Sequence, residues 1–274
     1  MPSLRQTLKA ILPEALHPAI TGAYEIIGDI ALLTLPDALL PYQALIGATL
    51  LTIDTRLRVV AHRLPISGEF RIGGLEIIAG EPPLATIHKE NGLRFRVDVE
   101  RVYFSARLAA ERLRLAQLCQ QGEQTLVVGS GVAPLPLTLA AHGAAATVVG
   151  VEKNADAHAL AVENCRLNRG HGHKVTPVNA DFHALTPADL GLFDRVVIAM
   201  PETALTALSH CLQFVSLGGF LHLYIFQDEN RPLPARDMDT ILAAAGCQAL
   251  SIAAVRCGHC GRARYRYRLD CRLG

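Results

Sequence analysis

The sequence predicts an α/β fold in which a small N-terminal α+β domain precedes a doubly wound parallel sheet. Strand-like segments joined by turns fill most of the first hundred residues, including a two-residue hairpin turn at Asn91-Gly92. From about Ser105, apolar segments of strand length alternate with segments of helix length, as they do in βαβ units. Half of the 274 residues are hydrophobic, which is enough to bury sizeable cores. We therefore place the domains at residues 1–102 and 103–274.

The elements follow from changes in hydrophobic period. The first domain is predicted to contain an amphipathic helix at residues 3–12, two strands in YEIIGDIALLTLP broken at Gly28-Asp29, the strands LRVVAH and LEIIAG, and the hairpin LATIHKENGLRFRVDV. The second is predicted to contain the helix ARLAAERLRLAQLC, the strand QTLVVG, the helix PLPLTLAAHG, the strand ATVVGVE, the helix ADAHALAVENCRLNR, and the strands KVTPVNAD and RVVIAM. A helix from Pro201 to about Val215, the strand GFLHLYIF and a final antiparallel strand in RARYRYRLDCRL complete the prediction, with the tyrosines of that strand inward and its arginines solvated.

Composition limits the class of protein. The 26 Lys and Arg residues nearly balance 25 Asp and Glu residues, so the net charge of +1 gives no global attraction to nucleic acid or to an anionic membrane. The uncharged stretch at residues 126–151 is broken by glycines and prolines, and we predict no transmembrane segment. Seven scattered cysteines without a signal peptide favour the cytoplasm.

The chemistry is predicted at the ends of three successive strands of the second domain. The first leads into the glycine-rich loop GSGVAP, the second ends at Glu152, and the third ends near Asp181. Glycines allow close approach of a ligand, and an acid about 20 residues later can accept ribose hydroxyls. Each acid alone is more often a solvated strand end, but this order is typical of Rossmann-like enzymes that use S-adenosylmethionine (SAM). A nicotinamide enzyme would prefer glycine where this loop has Pro134.

Several segments resemble the archaeal and eukaryotic tRNA guanine-37 N1-methyltransferases and their relative, the aminocarboxypropyl transferase of wybutosine synthesis. The likeness runs through YEIIGDIALL, SGEFRIGG, IHKENG, the VYFS and LAAER segments, VEKN, ENCRLN and GGFLHLY. The resemblance implies a class I methyltransferase fold, a catalytic arginine at Arg71 and a proton-accepting glutamate at Glu111. It implies SAM contacts at Tyr103, the Gly131 loop, Glu152, Asn154 and Asp181.

The sequence departs from the family pattern at two motifs. Where the family resembles D-M-F-A-G-V-G-P, this chain has Val127 and Gly129 in place of the acid and the aromatic residue. Where the family has an asparagine that helps to hold the guanine, this chain has Ala199. The chain also begins too late for the extra N-terminal domain that archaeal members tend to carry. These departures disfavour tRNA as a partner.

The leading hypothesis is therefore a small-molecule reaction in which SAM cyclises to azetidine-2-carboxylate and releases methylthioadenosine, as in bacterial enzymes of natural-product pathways that are similar to this family. A nearby base, Glu111 or Glu202, would take the proton, while Val127, Ala199 and Met200 would exclude water. Three alternatives stay open: a tRNA guanine-37 methyltransferase, a small-molecule methyltransferase and a non-catalytic SAM-binding protein. A homodimer is compatible with the sequence.

The hypothesis names two sets of residues. The catalytic candidates are Tyr103, Glu111, Arg71 and Glu202. The cofactor-binding candidates are Tyr103, Phe104, Ser105, Arg107, Gly129, Ser130, Gly131, Pro134, Glu152, Lys153, Asn154, Asp181, Phe182, Ala199 and Pro201. No metal site is predicted, because CGHC at residues 257–260 lacks a second C-x-x-C pair and is interpreted as a turn between two late strands.

Overall fold

The computed structural model describes residues 3–68, 70, 72–228, 240, 242–243, 248–259 and 264–274. It divides into two compact units, Met1–Ala110 and Glu111–Gly274. Residues 103–110, which the sequence analysis assigns to the second domain, lie in the first unit.

The first unit combines helices with two small sheets. Its elements are α1 (Leu4–Ile11), β1 (Glu25–Ile27), β2 (Ile30–Leu33), α2 (Gln43–Ile53), β3 (Val59–Ser67), β4 (Ile72–Gly80), β5 (Ala85–Glu90) and β6 (Leu93–Asp98), with 3-10 turns at Glu14–Ala19, Asp37–Tyr42 and Ala106–Leu108. Strands β1 to β4 form one sheet in chain order, and β5 pairs with β6 in a second. Ser3 begins α1 with a capping box that Gln6 completes. The predicted turn at Asn91-Gly92 is confirmed, because both residues have positive φ.

The second unit is a seven-stranded sheet with helices. Its elements are α3 (Ala109–Leu118, which begins in the first unit), β7 (Gln124–Val128), α4 (Pro134–His142), β8 (Thr147–Glu152), α5 (Ala155–Leu167), α6 (Arg169–Gly172), β9 (Val175–Asn179), α7 (Pro187–Leu190), β10 (Phe193–Ile198), α8 (Ala204–Leu212), β11 (Val215–Asp228), β12 (Ala249–His259) and β13 (Arg264–Leu273). The strand order is β12-β13-β11-β10-β7-β8-β9. Strands β7 to β11 are parallel, and β13 is antiparallel to both β11 and β12. The predicted α/β class is confirmed.

Three local predictions about the second unit need correction. The helix predicted from Pro201 is α8, which begins at Ala204, because Thr203 N–H bonds back to Met200 and closes a turn first. It ends at Leu212, and Val215 already belongs to β11. Cys257 lies within β12 and not in a turn, whereas Cys260 is outside the described residues.

The arginines of β13 also differ from expectation. Tyr267 packs against the main core, as the alternation predicts. Arg266 and Arg268, on the opposite face, are half-buried and bonded to Cys257 and Glu111 respectively, so they are not solvated. In the described part of the chain, no helix is long and apolar enough to span a bilayer.

Candidate active site

The carboxyl ends of β7 and β10 flank the point where the strand order reverses. After β7 the chain builds β8 and β9 on one side, and then crosses to β10 on the other. Ligands of open α/β sheets bind at such a switch point. Val128 and Ile198 are register partners at the ends of these strands, so Gly129 and Ala199 lie directly beyond them.

The glycine-rich loop has the backbone geometry that its sequence predicts. Gly129 and Gly131 have φ values of 74° and 56°, in the left-handed region that favours glycine. A Cβ at Gly129 would lie 2.3 Å from Met200 Cγ, so the close approach of Met200 also requires glycine. Ala133, just before Pro134 opens α4, has a φ of 65°, an uncommon conformation for alanine that the sequence analysis missed.

Glu152 connects this loop to the end of β8. Its Oε2 accepts a hydrogen bond from Gly131 N–H at 2.8 Å, and its Oε1 accepts one from Asn154 N–H at 2.8 Å. A carboxylate has about four lone-pair sites, so two remain for further donors. The arrangement can therefore receive a pair of hydroxyl groups without breaking a protein contact.

Two asparagines of the VEKN and ENCRLN motifs support the same loop. Asn154 caps α5, where its Oδ1 accepts from Asp156 N–H at 2.9 Å. Asn164 is fully buried, and its Nδ2 donates to Val132 O at 3.0 Å. Sequence reasoning assigned no role to Asn164, although a polar residue on the inner face of a predicted helix was an available signal.

Asp181, the acid after β9, already has two partners within the protein. Asp181 Oδ2 pairs with Lys153 Nζ at 2.8 Å, and its Oδ1 accepts from His183 N–H at 3.0 Å. These contacts, Lys153 first, lower the pKa of Asp181. Phe182 is buried, and its ring packs at 5.0 Å from the rings of both His210 and Phe214, so it belongs to the core.

The residues after β10 are mostly uncharged. Ala199, Met200 and Pro201 are half-buried, whereas Glu202 is exposed in the turn before α8. Val127 is fully buried within β7, where it pairs with Val197 and Gly150, so its predicted role at the pocket surface is not supported by its position.

Glu111 lies in the first turn of α3 and is held by three side chains. Its Oε1 accepts from Tyr224 Oη at 2.7 Å and from Arg114 Nη2 at 2.7 Å. Its Oε2 accepts from Arg114 Nε at 3.0 Å and from Arg268 Nη1 at 3.2 Å. Burial and then the carboxylate of Glu111 raise the pKa of Tyr224 well above its usual value, so this hydroxyl stays protonated and donates.

A buried polar network extends from Arg114 across the same face of the sheet. Arg114 Nη1 pairs with Asp270 at 3.0 Å, and Asp270 accepts from His222 Nδ1 at 2.6 Å. Burial followed by Arg195 keeps the pKa of His222 below its ordinary value, despite Asp270. A neutral imidazole that donates from Nδ1 must accept at Nε2, and Arg195 Nη1 contacts that atom. Arg195 also forms two bonds to Glu123, at 2.8 and 2.9 Å.

The remaining candidates lie in the first unit. Tyr103 is 41% exposed, whereas Phe104 is buried with its ring 5.1 Å from that of His88. Ser105 and Arg107 bond to Glu25. Arg71 lies outside the described residues. Within the described ranges, no group of three or more His, Cys, Asp or Glu residues is arranged to hold a metal ion.

Comparison with known proteins connects this geometry to a family. Residues 86–251 match the TRM5/TYW2 methyltransferase domain, and residues 4–83 match the TYW2 N-terminal domain. The chain is 33% identical over 222 residues to tRNA (guanine(37)-N(1))-methyltransferase Trm5b of Pyrococcus abyssi, and 30% identical over 225 residues to Trm5b of Methanocaldococcus jannaschii. Each alignment covers 81% of this chain and 65% of the relative, so the chain spans under two thirds of either protein's length.

A solved structure supports the same family assignment as the sequence comparison. The complex of aTrm5 with tRNALeu contains a chain that superimposes with a TM-score of 0.85 at 26% identity, covering 100% of this chain and 78% of that one. The hypothesis of SAM cyclisation, with a small-molecule substrate and a natural-product role, is therefore wrong, because the relatives are named tRNA (guanine(37)-N(1))-methyltransferases. The alternative of a tRNA methyltransferase fits these names. With the methyltransferase domain match extending over more than half of its residues, the chain belongs to the TRM5/TYW2 methyltransferase family.

Proposed function

We propose that the protein is a SAM-dependent methyltransferase that modifies N1 of guanine 37 in tRNA. The observation that carries the proposal is the bridge that Glu152 makes between Gly131 N–H and Asn154 N–H at the switch point of the sheet. The names of the relatives support the choice of reaction and of tRNA as the partner.

The described residues at this site fit SAM. Glu152 retains acceptor sites for the two ribose hydroxyls, and Asp181 would accept from the adenine amino group beside its ion pair with Lys153. The loop of Gly129, Ser130 and Gly131 would pass close to the amino-acid part. When bound, SAM supplies an electrophilic methyl group on its sulfonium.

Glu111 is proposed to accept the guanine proton. Methylation of N1 releases the N1 proton, and a carboxylate within reach takes it as a general base. Tyr224, Arg114 and Arg268 fix the position of Glu111. Oε2 has the longer bonds, 3.0 Å from Arg114 Nε and 3.2 Å from Arg268 Nη1, and is therefore the less tightly held oxygen. Arg71, Tyr103 and Glu202 remain predicted contributors.

Ala199 gives this proposal a specific feature. An alanine offers no amide to the guanine, so contacts elsewhere would have to hold the base. Ala199→Asn restores the amide of the family pattern and is expected to lower the KM for tRNA if the guanine binds beside β10.

The test uses the full chain, SAM with a labelled methyl group and two tRNA transcripts that differ only in G37 or A37. Transfer of label to the G37 transcript alone, with formation of S-adenosylhomocysteine, is the expected result. Glu111→Gln should lower kcat by about 10²–10⁴-fold and leave the Kd for SAM unchanged, whereas Glu100→Gln, at an exposed position, serves as the control. Equal labelling of both transcripts, or none, would contradict the proposal.

Aminocarboxypropyl transfer to tRNA is the second candidate, because residues 4–83 match the TYW2 N-terminal domain. The same assay separates the two reactions. Aminocarboxypropyl transfer would yield methylthioadenosine in a tRNA-dependent manner and would leave the labelled methyl group off the RNA.

A further inference from the structure

We infer that Tyr224 is a positioning residue, whose hydroxyl holds the carboxylate of Glu111 at the carboxyl edge of the parallel strands, on the same face of the sheet as Ala199. The inference rests on the proposed function, in which Glu111 accepts the guanine proton. Every residue that carries it lies in the second unit, Glu111–Gly274. The sequence analysis assigned no role to Tyr224.

The register of the sheet places Tyr224 level with the glycine-rich loop. Three residues lie at one level across β7, β10 and β11, namely Val128, Ile198 and Leu223. Tyr224 follows Leu223, as Gly129 and Ala199 follow the ends of their strands, so these three residues lie in the next row. Ala199 N–H still donates to Val128 O at 2.9 Å, so the pairing of β7 with β10 continues into this row.

Alternation along the strands decides which face of the sheet Tyr224 uses. Ile198 and Leu223 both pack in the apolar core of the second unit. Because successive residues of a strand point to opposite faces, Ala199 and Tyr224 point to the other face. Tyr224 meets α3 there, through its bond to Glu111. Ala199 and the hydroxyl that binds Glu111 are therefore on the same face of adjacent strands.

Tyr224 and its neighbour on β13 hold the two oxygens of Glu111. Tyr224 Oη donates to Oε1 at 2.7 Å, and a bond to an ionised acceptor is stronger than one between neutral groups. Arg268 is the register partner of Tyr224, and its Nη1 donates to Oε2 at 3.2 Å. The carboxylate is therefore attached to the row of the sheet that contains Ala199.

Arg114 does not fix this position by itself. It lies three residues from Glu111 on α3, and it binds Oε1 through Nη2 at 2.7 Å and Oε2 through Nε at 3.0 Å. Its own bond to the sheet goes to Asp270, two residues along β13 from the level of Tyr224. The contact from Tyr224 is therefore the one that sets the carboxylate at the level of Ala199.

The hydroxyl of Tyr224 acts only as a donor. Burial and then the carboxylate of Glu111 raise the pKa of Tyr224 well above its usual value. The hydroxyl therefore stays protonated at the pH of an assay and takes no proton from the guanine. Its contribution to the reaction is the position of Glu111.

The experiment measures methyl transfer by the full chain to the G37 transcript, and SAM binding by titration calorimetry. Tyr224→Phe keeps the ring and removes only the hydroxyl, so the single-turnover rate at saturating SAM and tRNA should fall about tenfold or more. The Kd for SAM and the KM for tRNA should stay within about twofold, because the change acts through Glu111. Tyr267→Phe, which removes a hydroxyl from the core-facing side of β13, is the matched control and should leave the rate unchanged.

A second variant guards against loss of folding in Tyr224→Phe. Arg268→Gln removes the bond to the other oxygen, to which Arg114 still donates, and should lower the same rate about threefold. Thermal unfolding of both variants shows whether each is folded at the assay temperature.

A double variant tests whether Tyr224 acts through Glu111. When Tyr224→Phe is added to Glu111→Gln, the rate should change by less than about twofold, because the group that Tyr224 positions is already gone. A further tenfold loss in that background would overturn the inference.

The outcomes separate this inference from the proposed function. If the wild-type chain transfers no methyl group to tRNA, the proposed function fails and the inference falls with it. If the wild type methylates the G37 transcript while folded Tyr224→Phe and Arg268→Gln keep its rate, the inference alone is overturned. A raised Kd for SAM or KM for tRNA with an unchanged rate would also overturn it.

Discussion

Gly129 shows how a single residue serves both the turn and the site. Its positive φ lets the chain leave β7 sharply, and its missing side chain leaves space for Met200 from the end of β10. The close approach of these two strand ends therefore depends on a hydrogen atom in place of a methyl group. Glu152 likewise needs both of its carboxylate oxygens, because each accepts a hydrogen bond from a different backbone amide.

Gly129→Ala is expected to lower the free energy of unfolding by about 2–4 kcal/mol, through the left-handed backbone and the contact with Met200. Gly122→Ala is the matched control, because Gly122 also has positive φ but has nothing within 4 Å of the added methyl group. Gly122→Ala should lower the free energy of unfolding by only about 1 kcal/mol. Chemical denaturation of both variants measures the difference between the two losses. Adding Met200→Ala to Gly129→Ala should recover part of the lost stability. Equal losses in the two variants would show that Met200 does not matter.

Glu152→Gln is expected to weaken SAM binding by about tenfold or more. The amide nitrogen must face either Gly131 N–H or Asn154 N–H, which leaves a donor opposite a donor. Titration calorimetry measures the effect, with the exposed Glu163→Gln as control. An unchanged Kd would remove Glu152 from the site.

At the scale of elements, α5 acts as a support for the glycine-rich loop. Asn154 caps its first turn, and Asn164, more than two turns later, donates to Val132 O in the loop. Both side chains satisfy backbone groups that burial would otherwise leave unpaired. The helix therefore sets the loop conformation from two points.

Asn164→Ala should lower the free energy of unfolding by about 1–3 kcal/mol, because Val132 O is left buried without this donor. The Kd for SAM should rise as well, since the loop loses one of its supports. Asn168→Ala, whose Nδ2 bonds to Asn164 O at the end of the same helix, tests helix stability alone. Thermal unfolding measures the stability of both variants, and titration calorimetry measures their Kd for SAM. Equal effects on SAM binding would contradict a specific role of Asn164.

At the scale of the whole second unit, one face of the sheet is polar. Alternate residues of β11 and β13 point into the apolar core, while His222 and Asp270 meet α3 on the other face. Burial alone would raise the pKa of Asp270, but the hydrogen bond from His222 and the charge of Arg114 lower it to about 2. Folding thus buries charges that are stable only as a complete network.

This network predicts loss of stability in mild acid. The pKa of His222 is lowered in the folded state, so below about pH 6.5 the unfolded chain takes up a proton that the folded chain refuses. Stability should therefore fall as pH decreases from 6.5, by up to about 1.4 kcal/mol per pH unit from this group.

Urea denaturation of the wild type and of His222→Gln between pH 7.5 and pH 5.5 measures the slope. The variant should be less stable at pH 7.5 but should depend less on pH. His173→Gln, at an exposed position, is the control for losing one histidine. Identical slopes for the wild type and His222→Gln would contradict the assignment.

The sequence by itself determined the α/β class, the Asn91-Gly92 hairpin, the course of β7 to β10 and the glycine-rich loop. These features depend on local periodicity and on backbone conformations that few residues adopt. The family resemblance was equally visible. The error was to read Val127 and Ala199 as a change of chemistry, although Val127 is buried within the sheet.

Only the tertiary structure decided which polar residues meet. It packs Phe104 against His88, bonds Glu25 to Ser105, and surrounds Glu111 with Tyr224, Arg114 and Arg268. These contacts join residues far apart in the chain, and their strength depends on burial, which no local pattern encodes. Local conformation is a property of neighbouring residues, whereas the pairing of buried charges is a property of the packed whole.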